Sequence, residues 1–198
     1  MSVWTVLEMA DKHATLAINA AGDFLPCWLM PAISGRTTWI PLYLALAALL
    51  IWRLGWKKAF IALVTAVVAV AVCDQFSTLI KNLAHRYRPC WDEYMVENGL
   101  RILEKKGGKF GFFSAHAATL AGIATVIYSS LRKDKAHSYC WLGWILSFWV
   151  LLVGMSRIFV GKHFLGDVIV GTIVGFLFGW AVFKLSELAI KEILSALK

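Results

Sequence analysis

Residues 58–89 read KAFIALVTAVVAVAVCDQFSTLIKNLAHRYRP, an apolar run followed by cations and a proline. The run over 58–80 is long enough for a helix that crosses the hydrocarbon core of a bilayer, which takes about 20 residues. Lys81 and Arg88 lie seven positions apart, close to two helical turns, so a helix continuing past the span would show both cations on one face. Pro89 cannot continue the hydrogen-bond ladder, and we expect the helix to end there. Two cations snorkelling at a membrane interface are the alternative.

Four further segments of similar character predict an all-α, polytopic membrane helix bundle of about five transmembrane helices. Of the 198 residues, 60% are hydrophobic and 16% charged, against roughly half and a quarter in soluble proteins. The predicted spans are 38–54, 58–80, 112–131, 139–155 and 164–185. Tryptophans at the ends of the first and fourth spans are typical of an aromatic belt at the membrane interface.

The N-terminal stretch predicts an interfacial helix and not a secretory signal. Glu8 and Asp11 stand where a signal peptide carries positive charge. Small or apolar residues recur at helical spacing over 3–21, with these acidic residues off the stripe. We therefore expect an amphipathic helix in the membrane interface, continued by a short segment over 24–33. A loosely ordered tail is the alternative.

We expect one domain over residues 1–198, with 1–36 as the interfacial segment and 37–198 as a catalytic helix bundle. Five spans place the N-terminus, the loop after the second span and the loop before the fifth on one side. The other side carries nine basic residues against eleven on this side, so the plain count does not decide the orientation. Five of the eleven belong to the motif segments, and without them the short basic loops at 53–58 and 132–135 mark the other side as cytoplasmic. The protein is thus expected in a bacterial inner membrane, with the first side facing the periplasm or cell exterior.

A second functional motif opens the third predicted span, where residues 113–116 read FSAH. Ser114 directly precedes an apolar helix, a position at which serine is a good N-cap. The free N–H groups of the first turn, from Ala115 onward, and the positive end of the helix dipole make an anion site. His116 lies in that turn, close to any bound anion. A histidine at the membrane interface without a catalytic role is the alternative.

A third motif precedes and opens the last span, where residues 156–167 read SRIFVGKHFLGD. His163 and Asp167 are at i and i+4, so on a helix the carboxylate can hold one imidazole nitrogen and leave the other free as a nucleophile. A carboxylate near the head of an apolar span is costly unless it is paired. Arg157 comes from the loop that closes the same site. The three motifs together supply what is needed to bind and cleave a phosphate ester.

These motifs resemble the type-2 phosphatidic acid phosphatase superfamily, which also includes vanadium-dependent haloperoxidases and acid phosphatases. Its signature is K-x6-RP, then PSGH, then SR-x5-H-x3-D. The first and third parts match in full here, and the match spans residues 81–167. The second part departs at Phe113 and Ala115, where proline and glycine are usual. Alanine still offers a backbone N–H, so the departure bears on the geometry of the anion site more than on His116.

The resemblance implies a role for each motif residue. His163 would attack phosphorus and form a phosphohistidine, and Asp167 would orient it. His116 would protonate the leaving oxygen and then help to activate water. The groups that would hold the phosphate oxygens are Lys81, Arg88, Ser114, Ala115 and Arg157. The family works without a metal, so neither a metal nor a cofactor is expected.

The expected function is therefore a metal-independent membrane lipid phosphatase. Its substrate is left open among phosphatidate, phosphatidylglycerophosphate, a lipid A phosphate and undecaprenyl diphosphate, of which the last is favoured. A lipid phosphotransferase that uses the same phosphohistidine is one alternative. A non-enzymatic transporter or scaffold is another, and it would leave both histidines dispensable.

Charge and cysteine content limit the expected partners. The net charge is +8, but the basic residues are scattered at span ends, which argues against nucleic acid. The lipid substrate and the bilayer are the expected partners, and nothing indicates an obligate protein partner. The four cysteines show no metal-ligand spacing. Cys27 and Cys90 fall on the same predicted side, so a disulfide between them is left open.

Overall fold

The computed structural model describes residues 2–196, and these form helices and no strand. The α-helices are α1 (Val3–Ala20), α2 (Leu29–Ser34), α3 (Ile40–Leu54), α4 (Trp56–Ala84), α5 (Glu93–Glu97), α6 (Ala115–Leu131), α7 (Cys140–Phe159) and α8 (Leu165–Ala196). Short 3-10 turns at Thr37–Trp39 and Pro89–Trp91 precede α3 and α5. The all-α fold predicted from the sequence is confirmed.

Four helical segments within residues 2–196 are long and apolar enough to cross a membrane. They are Thr37–Leu54, Trp56–Ala84, Cys140–Phe159 and Leu165–Ile193. The fifth predicted span is shorter than expected, because α6 begins only at Ala115 and has 17 residues. At 1.5 Å per residue it is roughly 26 Å long, slightly less than the hydrocarbon core of about 30 Å. It packs against α3, α4, α7 and α8, and is therefore the central helix of the bundle.

The outer helices present apolar side chains on their exposed faces. Large examples are Leu44, Phe60, Val67, Trp144, Phe148 and Phe176. A soluble protein rarely exposes apolar surface on this scale, whereas lipid tails solvate it. The interior cluster, which includes Leu50, Leu131 and Trp149, is formed by the inward faces of α3, α6 and α7. The protein is an integral membrane protein.

Helices α6 and α8 approach each other closely because small residues line their interface. Glycines recur at every fourth position of α8, at Gly171, Gly175 and Gly179. A Cβ atom at Gly175 would lie 2.1 Å from the carbonyl oxygen of Ala118, and one at Gly171 would lie 2.5 Å from that of Ser114. Such stripes let two helix backbones meet inside a membrane. The contact sets the N-terminal end of α6 against the first turns of α8.

The N-terminal helix forms as predicted, and its polar side faces the protein. Thr15 and Asn19 are buried against the ends of α7 and α8, and Asn19 Nδ2 donates to the carbonyl oxygen of Ile158 at 2.9 Å. On the side away from these two residues, Val3 and Leu7 are 74% and 56% exposed. This is the exposure expected of a helix whose outer face lies in the membrane interface.

The loop after α4 corrects one sequence prediction. The helix ends at Ala84 and not at Pro89, because His85 adopts a left-handed conformation with φ of 47°. Arg88 therefore lies in the loop, where its N–H donates to the carbonyl oxygen of Lys109 at 2.8 Å. The prediction that one helix carries both motif cations is wrong. The cysteines for which a disulfide was open, Cys27 and Cys90, are free thiols.

We expect Gly175→Ala to destabilise the bundle. The new methyl group would meet the Ala118 carbonyl at less than van der Waals distance, and overpacking of this kind costs about 1–3 kcal/mol. Thermal unfolding of the detergent-solubilised protein should show a lower midpoint. Gly108→Ala is the control, since a Cβ there meets nothing within 4 Å. An unchanged midpoint for Gly175→Ala would show that the α6–α8 contact is looser than described.

Candidate active site

His163 lies in the turn between α7 and α8, and its partner Asp167 lies in the first turn of α8. Both side chains are buried, with relative exposures of 2% and 0%. The Nδ1 atom of His163 lies 3.3 Å from Oδ2 of Asp167, and the N–H of Phe164 donates to the same oxygen at 3.1 Å. Since a carboxylate only accepts, Nδ1 carries the proton. The other ring nitrogen of His163, Nε2, is then left with its lone pair.

The surroundings of His163 keep its ring neutral. Burial lowers the pKa of His163 to about 4, although the carboxylate of Asp167 favours the imidazolium. The charges of Arg157 and Arg88 also act against protonation. At neutral pH the imidazole is therefore unprotonated at Nε2, as a nucleophile must be.

The second motif meets the third through the backbone. Ser114 is the N-cap of α6, and its hydroxyl accepts from the N–H of Ala117 at 3.4 Å. The N–H of Ser114 donates to the backbone carbonyl of Asp167 at 3.0 Å. The amides of Ala115 and His116 come at the start of the helix, where no preceding turn supplies an acceptor. The predicted cap is thus present and lies beside the histidine–carboxylate pair.

The second histidine lies in the first turn of α6 and is half-buried. The groups that act electrostatically on His116 include Arg157, His163 and Lys81. The structure therefore brings both predicted histidines into one cluster. The helix end and the surrounding cations favour an anion next to His116.

Arg157 projects from the last turn of α7 and is 6% exposed. Its Nη1 atom is hydrogen-bonded to the hydroxyl of Ser34 and lies 3.5 Å from Oε1 of Glu104. Its Nε atom is buried and has no hydrogen-bond partner within residues 2–196. Leaving such a donor unpaired costs about 1–3 kcal/mol. The unpaired Nε is therefore a donor that an anion could use.

Lys81 and Arg88 reach the site from different elements. Lys81 lies in the last turn of α4, and the loop residue Arg88 donates from Nε to the carbonyl oxygen of Phe110 at 3.0 Å. The charge of Arg88 acts on Lys81, Arg157 and His163 alike. Tertiary structure therefore brings these cations together, although they do not share a helix face as predicted.

Several residues around the site were not assigned roles from the sequence. They are Asp11, Ser34, Arg86, Glu104 and Lys162. Arg86 donates from Nη1 to Oδ1 of Asp167 at 2.7 Å, and only its position inside the K-x6-RP stretch could have suggested it. Lys162 donates to the backbone carbonyls of Lys105 and Lys106 and so anchors the loop that carries Glu104. The others come from distant segments, and no local pattern marks them.

The pKa of His163 gives a testable pH dependence. The unfolded chain takes up this proton near the ordinary pKa of 6.5, and the folded protein does so only near pH 4. The folded state binds fewer protons between these values, so His163 should lower the free energy of unfolding as the pH falls from 6.5 towards 4. At pH 5.5 the ring should still be neutral. Nitrogen NMR of histidine-labelled protein, with the signal assigned by its absence from His163→Gln, would contradict this if it showed an imidazolium.

Comparisons with known proteins identify the family of this chain. The family model described as the PAP2 superfamily matches residues 58–191, more than half of the chain. The lipid A 4'-phosphatase of Bacteroides thetaiotaomicron is 28% identical over 183 residues, which cover 90% of this chain and 79% of that protein. The lipid A 4'-phosphatase of Porphyromonas gingivalis is 30% identical over 180 residues, which cover 90% of this chain and 73% of that protein.

Two solved structures share the fold. One is a transmembrane PAP2 type phosphatidylglycerolphosphate phosphatase from Bacillus subtilis, with a TM-score of 0.67, 21% identity and coverage of 92% of this chain and 87% of that one. The other is LpxE of Aquifex aeolicus, with a TM-score of 0.61, 22% identity and coverage of 87% and 93%. At these identities the likeness concerns the fold. The family match and the relatives confirm the resemblance drawn from the three motifs, and the chain belongs to the PAP2 superfamily.

Proposed function

We propose that this protein is a membrane lipid phosphatase that removes the 4'-phosphate of lipid A through a phosphohistidine at His163. The observation that carries the proposal is the buried, neutral His163, held at Nδ1 by Asp167, in one cluster with an unpaired arginine donor. The free Nε2 that this arrangement leaves is what a nucleophilic histidine needs. We also propose that the site faces the periplasm from the inner membrane, because the basic loops at 53–58 and 132–135 fall at the span ends opposite to the three motifs.

The reaction proceeds in two displacements at phosphorus. Nε2 of His163 attacks in line, the bond from phosphorus to the sugar oxygen breaks, and His116 donates a proton to the departing oxygen. Water then attacks the phosphorus of the phosphohistidine while His116 takes a proton from that water. The bond between phosphorus and Nε2 breaks, its electron pair returns to Nε2, and phosphate leaves. Asp167 offsets the positive charge that the His163 ring carries while it is phosphorylated.

The equatorial oxygens of the transferring group need positive charge around them. Nε of Arg157 supplies a donor that is already desolvated, and Lys81 and Arg88 add two more cations. The amides of Ala115 and His116 at the head of α6 supply fixed dipoles. Preorganised donors of this kind usually make the largest contribution to lowering a phosphoryl-transfer barrier. Metal independence stays a prediction, which chelation tests.

The choice of lipid A rests on the relatives. Both proteins named above are lipid A 4'-phosphatases and align over 90% of this chain, motifs included. The site also lies at the helix ends beside the interfacial helix α1, where a lipid headgroup phosphate would be. The sequence alone favoured undecaprenyl diphosphate, which is therefore the main alternative substrate to compare with lipid A.

A substrate panel should separate these possibilities. We expect the purified protein to release phosphate from lipid A in the presence of EDTA, with mass spectrometry placing the loss at the 4'-position. Undecaprenyl diphosphate, phosphatidate and phosphatidylglycerophosphate should be cleaved with lower kcat/KM. Faster cleavage of any of these would overturn the substrate assignment, and activity that EDTA abolishes and magnesium restores would overturn metal independence. Transfer of labelled phosphate from the substrate to a lipid or sugar hydroxyl would instead indicate a phosphotransferase.

Replacement of His163 and replacement of His116 should have different effects on the reaction. His163→Ala should abolish the acid-labile phosphoenzyme with every substrate, because the nucleophile is gone. His116→Ala should slow cleavage of an alkyl phosphate by about 10²- to 10⁴-fold, but should affect an activated aryl phosphate much less, since a good leaving group needs no proton. Rapid quenching with labelled substrate measures both. Phosphoenzyme that persists in His163→Ala and disappears in His116→Ala would reverse the roles.

A further inference from the structure

The catalytic carboxylate has a second partner besides the histidine. Oδ2 of Asp167 accepts from the His163 ring and from the N–H of Phe164, whereas Oδ1 accepts from Nη1 of Arg86 at 2.7 Å. The guanidinium of Arg86 also lies over the ring of Phe164, 4.3 Å from its centroid. Arg86 thus fixes the oxygen of Asp167 that the histidine does not use.

Arg86 is itself held by the N-terminal helix. Its Nη2 atom donates to Oδ2 of Asp11 at 2.6 Å, and Oδ1 of Asp11 accepts from the N–H of Gly166 at 2.8 Å. A Cβ at Gly166 would lie 2.9 Å from Asp11, so glycine is what lets α1 come this close. Asp11, Arg86 and Asp167 therefore form a hydrogen-bonded network at the start of α8. The network closes on the backbone, because Gly166, which binds Asp11, directly precedes Asp167.

We propose that Arg86 and Asp11 are positioning residues of the catalytic centre, which hold Asp167 in the orientation that directs His163 at phosphorus. The inference rests on the proposed function, because it assumes that His163 is the nucleophile. It also makes α1 a part of the catalytic machinery as well as an interfacial helix.

Charge explains why two residues are needed. Arg86 alone would neutralise Asp167 and weaken its hold on the positive charge that develops on the His163 ring. Asp11 adds a second carboxylate, so the group of three carries a net charge of −1. Arg86 can then fix the geometry of Asp167 while the carboxylate remains an effective counter-ion. A group of charges with a fully buried member such as Asp167 is costly unless every member is paired, and here each member is.

The chain offers a matched control. Nε of Arg101 lies 3.1 Å from Oδ1 of Asp23 and likewise links the loop between α5 and α6 to the N-terminal segment. Neither residue forms a hydrogen bond or an ion pair with His163 or Asp167. Loss of this pair tests what a purely structural link from the N-terminal segment contributes.

The experiment compares Arg86→Gln, Asp11→Asn and their double variant with Asp23→Asn and Arg101→Gln, using an aryl phosphate in detergent. Arg86→Gln and Asp11→Asn should each lower kcat by about 10- to 100-fold with KM within about twofold. This is the range observed when residues that orient metal ligands are replaced in metalloenzymes. The kcat of the double variant should fall no further than that of the more impaired single variant, because both residues act through Asp167. The control variants should keep kcat within about twofold. Thermal unfolding and gel filtration report folding for all five.

The outcomes separate this inference from the proposed function. Wild-type kcat in folded Arg86→Gln and Asp11→Asn, with loss of turnover in His163→Ala, would overturn the positioning role and leave the function standing. Normal turnover in His163→Ala would overturn the function itself. If the neutral variants do not fold, Arg86→Lys and Asp11→Glu are measured in their place. They keep the charges but change the geometry of the hydrogen bonds among Asp11, Arg86 and Asp167. These should lower kcat at unchanged KM, and wild-type kcat in them would overturn the inference.

Discussion

The buried carboxylate of Asp167 is the group on which the rest of the site depends. A charge without exposed surface at the head of an apolar helix is stable only if its oxygens are fully paired. The carboxylate is paired with His163 and the N–H of Phe164 from its own segment and with Arg86 from the stretch after α4. The amide of Ser114 donates to the backbone carbonyl of the same residue, so Asp167 links three distant segments at one end of the bundle.

The helix bundle makes this convergence possible. Ser114 and Asp167 can meet only because α6 and α8 approach at backbone contact, which the glycines of α8 allow. In a membrane, where lipid tails are as apolar as the helix faces, such close packing and interhelical hydrogen bonds replace the hydrophobic effect as the cause of association. The same contacts that hold the bundle together thus also align the head of α6 with Asp167.

The site divides its charges between two tasks. Around Asp167, positive and negative groups are paired, and they fix the position of the His163 ring. Towards the head of α6, the cations Lys81, Arg88 and Arg157 are less fully compensated, and Arg157 keeps a buried donor free. A dianionic phosphate would complete this second half. The groups paired around Asp167 and the cations at the head of α6 are therefore different residues of one cluster.

The sequence by itself determined the features that depend on local spacing. The apolar runs predicted a helical membrane protein, the i, i+4 spacing predicted the pair of His163 and Asp167, and Ser114 predicted the cap of α6, because each of these depends only on residues within a few turns. Tertiary structure decided the end of α4 at Ala84, where the loop turns back through a left-handed His85, and so the path by which Arg88 reaches the site. It also decided the contacts of Asp11 with Arg86 and of Ser34 with Arg157. These join segments more than 70 residues apart, and no local periodicity records which distant side chain will balance a buried charge.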